Sequence, residues 1–282
     1  MTEPASAPRI VAVLTDPATA RACLSAAEAA AAAVGSAAPV EAFHPRPTPE
    51  SLIMPSEEVM TDARRKALEA MLDERSRAVR RLVAEWGAAA AAGRAAPWNE
   101  VVGDSVEAAV AARGRTADLL VLARPAEDEG DAALHAAIFD TGRPFLLAPP
   151  GLVGGATPAF GRHLAIAWKA SEQASRAVAA ALPWLARAER VSLLTVGKPD
   201  APPAAPDDAM AMLAGHGLKA VPVLLQRGAD SVGAQLLRKA HAIGADAMIM
   251  GAYRHSRLLE IILGGVTRHM LQAADLPVFM MH

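Results

Sequence analysis

Ten short apolar runs punctuate the chain, and stretches with helical spacing of their hydrophobic residues separate them. The first five are IVAVL (10–14), VEAF (40–43), WNEVV (98–102), LLVLA (119–123) and FLLA (145–148). The second five are LAIAW (164–168), VSLLTV (191–196), AVPVLLQ (220–226), AMIM (247–250) and VFMM (278–281). Runs of this length bounded by turn residues read as strands. The runs at 119–123 and 247–250 lack polar alternation, as expected of central strands covered on both faces. Strands separated by helices require crossover connections, so the pattern predicts α/β architecture with parallel sheets. Each half of the chain is expected to form one doubly wound layer.

The order of elements occurs twice. GDSVEAAVAARGRTADLLVLA in the first half is answered by GADSVGAQLLRKAHAIGADAMIMGA in the second. Asp104 and Ser105 match Asp230 and Ser231, and Asp118 matches Asp246. The aspartate before each Ser-Val is expected to cap the helix that follows, its carboxylate accepting from first-turn amides. RPFLLAP near Phe145 likewise parallels LPVFMMH near Val278. A Pro/Gly-rich stretch, Ala148 to Gly161, falls almost midway between the copies. The chain therefore divides into a first domain at 1–150, a linker at 151–161 and a second domain at 162–282. One insertion separates the copies, the charged segment 56–94. Its Leu68, Met71, Leu72, Val79, Leu82, Val83 and Trp86 share one helical face, with Ser56 as the expected N-cap. Its charged face is expected to be solvated.

Composition narrows the function classes. Of 282 residues 52% are hydrophobic, many of them alanine, and only 4% are aromatic. A net charge of −2 gives no general attraction to nucleic acid or anionic membrane. No apolar run is long enough to span a bilayer, and the polar, proline-containing start has no signal-peptide core. A cytoplasmic protein is expected. The single cysteine, Cys23, excludes an internal disulfide and a cysteine-based zinc site, and it reads as a small core residue.

The candidate chemistry lies in MGAYRHSRLLEIILGGVTRHM, Met250 to Met270. A helix is expected to start around Gly265 to Arg268, on the edge of the sheet where strands end and helix amides stand free. Gly264 and Gly265 there either cradle an anion with their backbone N–H groups or form a tight loop. Thr267 adds a hydroxyl. Arg254, His255, Arg257, Arg268 and His269 add positive charge. A Gly-x4-Gly-Lys loop, a Gly-x-Ser-x-Gly elbow and a His-Glu-x-x-His helix are all absent, and the eight histidines show no metal spacing. GHGLKA (215–220) has the letters of a dinucleotide fingerprint but follows a helix and precedes a strand, the reverse of the required order. No nucleophile stands beside a base, so no catalytic constellation is identified.

Gly251, Arg254, Gly264, Gly265, Val266 and Thr267, in that spacing, resemble the ATP-binding signature of the universal stress proteins. IVAVLTDPATARACL and LAIAWKASEQASRAV resemble that family's opening strand, turn and helix, so the chain is similar to a tandem member throughout. The resemblance implies five-stranded parallel sheets in the order 3-2-1-4-5, with the final strands, 145–148 and 278–281, associating and a homodimer possible. It also implies ATP or another adenine nucleotide as ligand, with magnesium accompanying it. The aspartate that helps hold the nucleoside in family members is matched by Asp16 in the first half, whereas Lys169 stands there in the second. Ala123 replaces Gly251 in the first half, and Glu127, Asp128, Glu129 and Asp131 turn its loop acidic, which repels a triphosphate. The implied function is a stress-response binding or regulatory module whose nucleotide sits in the second domain. The alternatives are a non-nucleotide interaction protein and, with least support, a weak ATPase.

Overall fold

The computed structural model describes residues 8–36, 38–52, 60–89, 96–124, 131–149, 160–198, 206–252 and 265–282. Its first half runs β1 (Ile10–Val13), α1 (Pro17–Ala33), β2 (Glu41–Pro47), α2 (Asp62–Ala89), β3 (Trp98–Gly103), α3 (Val106–Gly114), β4 (Leu119–Ala123), α4 (Asp131–Phe139) and β5 (Phe145–Ala148). The second half repeats the plan as β6 (His163–Ala167), α5 (Glu172–Leu185), β7 (Arg190–Val196), α6 (Asp207–Gly215), β8 (Ala220–Leu225), α7 (Val232–Ala242), β9 (Ala247–Gly251), α8 (Gly265–Ala273) and β10 (Val278–Met281). All ten expected strands are present. They hydrogen-bond in the order β3-β2-β1-β4-β5-β10-β9-β6-β7-β8. Each half therefore has the 3-2-1-4-5 order with parallel neighbours, and the two sheets merge into one. The junction is antiparallel, with Leu147 opposite Val278, Leu146 opposite Phe279 and Phe145 opposite Met280.

The helices bury their apolar faces on both sides of this sheet. Helices α1, α2, α5 and α6 cover one face, and α3, α4, α7 and α8 cover the other. The alanines of α1 are small enough to bring it close to its neighbours, and Ala22, Ala26, Ala27 and Ala30 are wholly buried. Trp184, near the end of α5, completes this layer from the other half. Its indole N–H donates to the Ala30 carbonyl at 2.8 Å, while its ring lies 5.5 Å from that of Phe279 in β10. The Ala30 carbonyl lies in the last turn of α1, where carbonyls lose their in-helix partners, because the Val34 N–H turns to Ala31 instead. At Gly161 the backbone is left-handed (φ 89°), and the place of its missing Cβ is 2.9 Å from the Ala33 side chain. Only glycine suits both conditions.

The repeated Ala-Asp has one role in both halves. Asp118 accepts from the Arg9 N–H at 2.8 Å, and Asp246 accepts from the N–H groups of Gly161, Arg162 and His163, each at 2.9 Å. Each carboxylate thus ties the entry of β4 or β9 to the entry of β1 or β6.

Four local details differ from the sequence expectation. The serine one position later, not the aspartate, caps α3 and α7: Ser105 accepts from the Ala108 N–H at 3.0 Å and Ser231 from the Ala234 N–H at 3.2 Å. Asp104 instead accepts from the Thr48 hydroxyl at 2.7 Å, and Asp230 pairs with Arg238 at 2.5 Å. Ser56 lies outside the described residues, and α2 starts at Asp62, where Thr61 accepts from the Arg64 N–H at 3.2 Å. On α2, Leu72, Val79, Val83 and Trp86 are buried as expected, but Met71 is 43% exposed. Ser76 takes up the inner stripe and donates to Glu100. Strand β2 also extends past its apolar run to Pro47. Beyond Phe43 it pairs with β3 alone, so Pro45 and Pro47 interrupt no ladder toward β1.

Replacing Trp184 by alanine is expected to lower stability by roughly 3–5 kcal/mol, because it empties a buried site and strands a helix carbonyl. Urea denaturation followed by circular dichroism measures this.

Candidate functional site

In each half the helices run back against the strands, so the carboxyl edge of the sheet collects helix N-termini. In the second half that edge is formed by the ends of β6 and β9, which are neighbours with Ala167 opposite Met250. Lys169 follows β6 and is exposed, and Gly251 ends β9. Helix α8 begins at Gly265. Lys169, Gly251, Gly265, Val266 and Thr267 are thus carried by elements that meet at one edge. Arg254 and Gly264 lie outside the described residues, as do His255 and Arg257.

These residues are not equivalent. A Cβ on Gly251 would stand 2.6 Å from the Ala174 nitrogen and 2.6 Å from the Gln173 carbonyl carbon. Gly251 is therefore required by close packing of the strand end against the first turn of α5, as in other doubly wound folds where a glycine lets helix and strand approach. Among the described residues, a Cβ on Gly265 would meet nothing within 4 Å. The first-turn amides of α8 carry the positive end of a nine-residue helix. Val266 packs partly into the core, Thr267 is 4% exposed on the inner side of α8, and Arg268 faces out. The His269 side chain lies over Gly233 of α7, its ring 2.7 Å from the place of the glycine's missing Cβ, so it serves the contact between α7 and α8.

The first half is built differently. The Asp16 carboxylate accepts from the Ala18 N–H at 2.8 Å and is the N-cap of α1, where Pro17 supplies the pre-set first helical residue. Strand register also corrects the match between Asp16 and Lys169. Ile10 lies beside Leu119 and Leu164 beside Ala247, the residues after Asp118 and Asp246. Counting on from these, Thr15 occupies the place of Lys169, and Asp16 that of Ala170. The helix start differs too: Ser171, one residue later in register, caps α5. The same count places Ala123 with Gly251. Glu127, Asp128 and Glu129 lie outside the described residues.

Two residues that follow strand ends, one at each edge of the merged sheet, carry no sequence signal. Arg124, directly after β4, donates through Nη1 to the Gln272 carbonyl of α8 in the other half. His282 follows β10, with its ring 5.2 Å from that of Phe139 in an edge-on contact. Burial and the nearby Arg176 hold the His282 pKa below the ordinary histidine value, while Glu172 pulls the other way. Their chain positions look unremarkable because their partners lie in the opposite half.

Other chemistry is limited. The Cys23 thiol is buried between Val13 and Val121, whose carbonyls accept from it, and burial pushes its pKa up to about 12. No group of three or more potential metal ligands occurs among the described residues, and no described helix is long and apolar enough to cross a membrane. A hollow of about 380 Å³ lies between α2 and β3, lined by Arg80, Val83, Gly87 and Trp98, on the outer flank of the first half.

No protein-family model matches the sequence, and neither does any curated protein. Solved structures do. A universal stress protein from Archaeoglobus fulgidus aligns over 98% of this chain and 96% of its own, with a TM-score of 0.69 and 12% identity. A candidate universal stress protein from Pseudomonas aeruginosa covers 97% of this chain and 92% of its own, with a TM-score of 0.54 and 13% identity. A Pseudomonas aeruginosa protein of unknown function gives the same coverages, a TM-score of 0.50 and 11% identity. The chain has the fold of the universal stress proteins, and at 282 residues it is about twice the size of one such domain.

Two outcomes follow from the geometry. Gly251→Ala is expected to cost about 1–3 kcal/mol through its clash with α5, whereas Gly265→Ala leaves stability unchanged or slightly raised; parallel thermal melts compare them. Cys23 is expected to resist alkylation at pH 8 in the native state and to react once the chain unfolds, because only the thiolate attacks; intact-mass spectrometry reads the difference.

Proposed function

We propose that this chain is a tandem universal stress protein, with units at 1–150 and 162–282 joined by 151–161. In this reading it serves as a binding or regulatory module in the stress response, holding ATP or a related adenine nucleotide in the second unit. The observation that carries the reading is the start of α8 at Gly265. There Gly265 presents backbone amides at the carboxyl edge of the sheet, and among the described residues no side chain is within reach of the place its Cβ would take. The nucleotide's phosphates sit at that helix start, and the exposed Lys169 at the end of β6 supplies a charge for them. Arg254 and Gly264 belong to the same signature. Lysine donates and cannot accept from a ribose hydroxyl, so it serves phosphate rather than nucleoside. Magnesium accompanies the triphosphate as its counter-ion.

One observation favours a second reading, a non-nucleotide interaction protein of the same fold. Gly251, the first residue of the signature, is accounted for by its packing against α5 with no ligand present. Neither reading assigns a catalytic residue, and hydrolysis of ATP is not part of the proposal.

Saturating ATP with magnesium is expected to raise the melting temperature by a few degrees, since a ligand at a hundred times its Kd adds about 2.7 kcal/mol to the folded state. Gly265→Val, which crowds the helix start, is expected to abolish that rise while leaving the melt without nucleotide nearly unchanged. No shift with the wild-type chain, and no nucleotide released from it on denaturation by mass spectrometry, would favour the interaction reading.

A further inference from the structure

The loop that follows β4 carries a cation whose destination lies in the other half. Arg124 Nη1 donates to the Gln272 carbonyl and, at 3.5 Å, to the Ala274 carbonyl. Gln272 is in the last turn of α8 and Ala274 lies just beyond it. Helix α8 has no basic residue in its own last turn, so an arginine from the first half meets its negative end. The arginine is itself anchored. Its backbone N–H bonds to the Ala148 carbonyl at 3.2 Å, at the end of the β5 strand that pairs with β10.

The placement of this residue matters. Arg124 directly follows Ala123, the residue in the place of Gly251, so it opens the loop where the first half lacks the signature glycines. Helix α8 is nine residues long, about 13 Å of rigid rod, so a contact at its far end bears on the direction of its first turn. Along the rest of the helix Thr267 and Met270 are buried, Val266 and Leu271 pack against the core, and His269 rests on Gly233 of α7.

We propose that Arg124 is a positioning residue for the start of α8. The first half's counterpart of the phosphate loop works as a brace, and it holds the first-turn amides of the second half's helix in place for an anion. This rests on the reading of that helix start as the phosphate site. It makes the second site dependent on the first half without any ligand in the first half.

The test compares the full-length wild-type chain with Arg124→Ala and Arg124→Lys at a temperature where circular dichroism shows all three folded. Titration calorimetry with magnesium ATP is expected to show affinity about three- to tenfold weaker for R124A, with most of it regained in R124K, because a point charge suffices at a helix C-terminus. Amide hydrogen exchange without nucleotide is expected to rise in R124A at the His269 and Met270 amides, whose bonds close the first turn, as well as at 271–273. Unchanged affinity in R124A, a lysine variant as weak as the alanine one, or an exchange increase confined to the last turn would overturn the brace. Failure of the wild-type chain to bind ATP would remove the nucleotide reading alone. Exchange at the His269 and Met270 amides, which close the first turn, then decides the brace by itself, a rise supporting it and no change overturning it.

Discussion

The antiparallel pairing of β5 with β10 is the constraint on which the rest of the molecule depends. Each strand has only four residues and one parallel neighbour, so each half by itself would end in a bare edge of backbone donors and acceptors. Pairing the two edges satisfies both and fixes the halves in opposite strand directions. Everything at the seam follows from that orientation. Phe279 comes under Trp184, the indole reaches the last turn of α1, Gly161 admits Ala33, and Arg124 finds the end of α8. The free edges move outward to β3 and β8, where the large apolar residues Val101, Val102, Val221 and Leu224 are exposed. Pro222, which has no N–H to offer, sits on β8.

The two halves share one framework and differ at the carboxyl edges of their strands. The aspartates that tie strand entries together, Asp118 and Asp246, are used alike in both halves. At the carboxyl edge the likeness ends. The first half uses Asp16 to cap α1 and sends Arg124 across the seam, while the second caps α5 with Ser171 and starts α8 at Gly265. Framework residues answer to their neighbours within one copy, so they keep the repeat. An edge residue such as Arg124 answers to the other half, so it does not.

The strands were legible because burial on both faces writes continuous apolar runs, and LLVLA and AMIM became β4 and β9 almost to the residue. The strand order came from the family resemblance, not from the apolar pattern. The buried stripe of α2 was legible through Leu72, Val79, Val83 and Trp86, but Met71 was not separable from it. A helical face read from spacing alone has soft edges, and only the position of the sheet decides where it stops. The helix caps erred by one residue because Asp and Ser are both good caps and stand side by side at 104–105 and 230–231. The match of Asp16 with Lys169 erred by one as well, since register is set by strand pairing and not by letters.

By itself the sequence determined the α/β class, the duplication, the strand positions and the helix start at Gly265, because these are written in local spacing of apolar residues and turn formers. Only the tertiary structure decided that Gly251 is held by the first turn of α5, that Lys169 has Thr15 as its counterpart, and that Arg124 and His282 reach into the opposite half. The first two depend on helix docking and strand register within a half, the last on which surfaces meet once β5 and β10 pair, and no residue's neighbours in the chain record what it will touch across the fold.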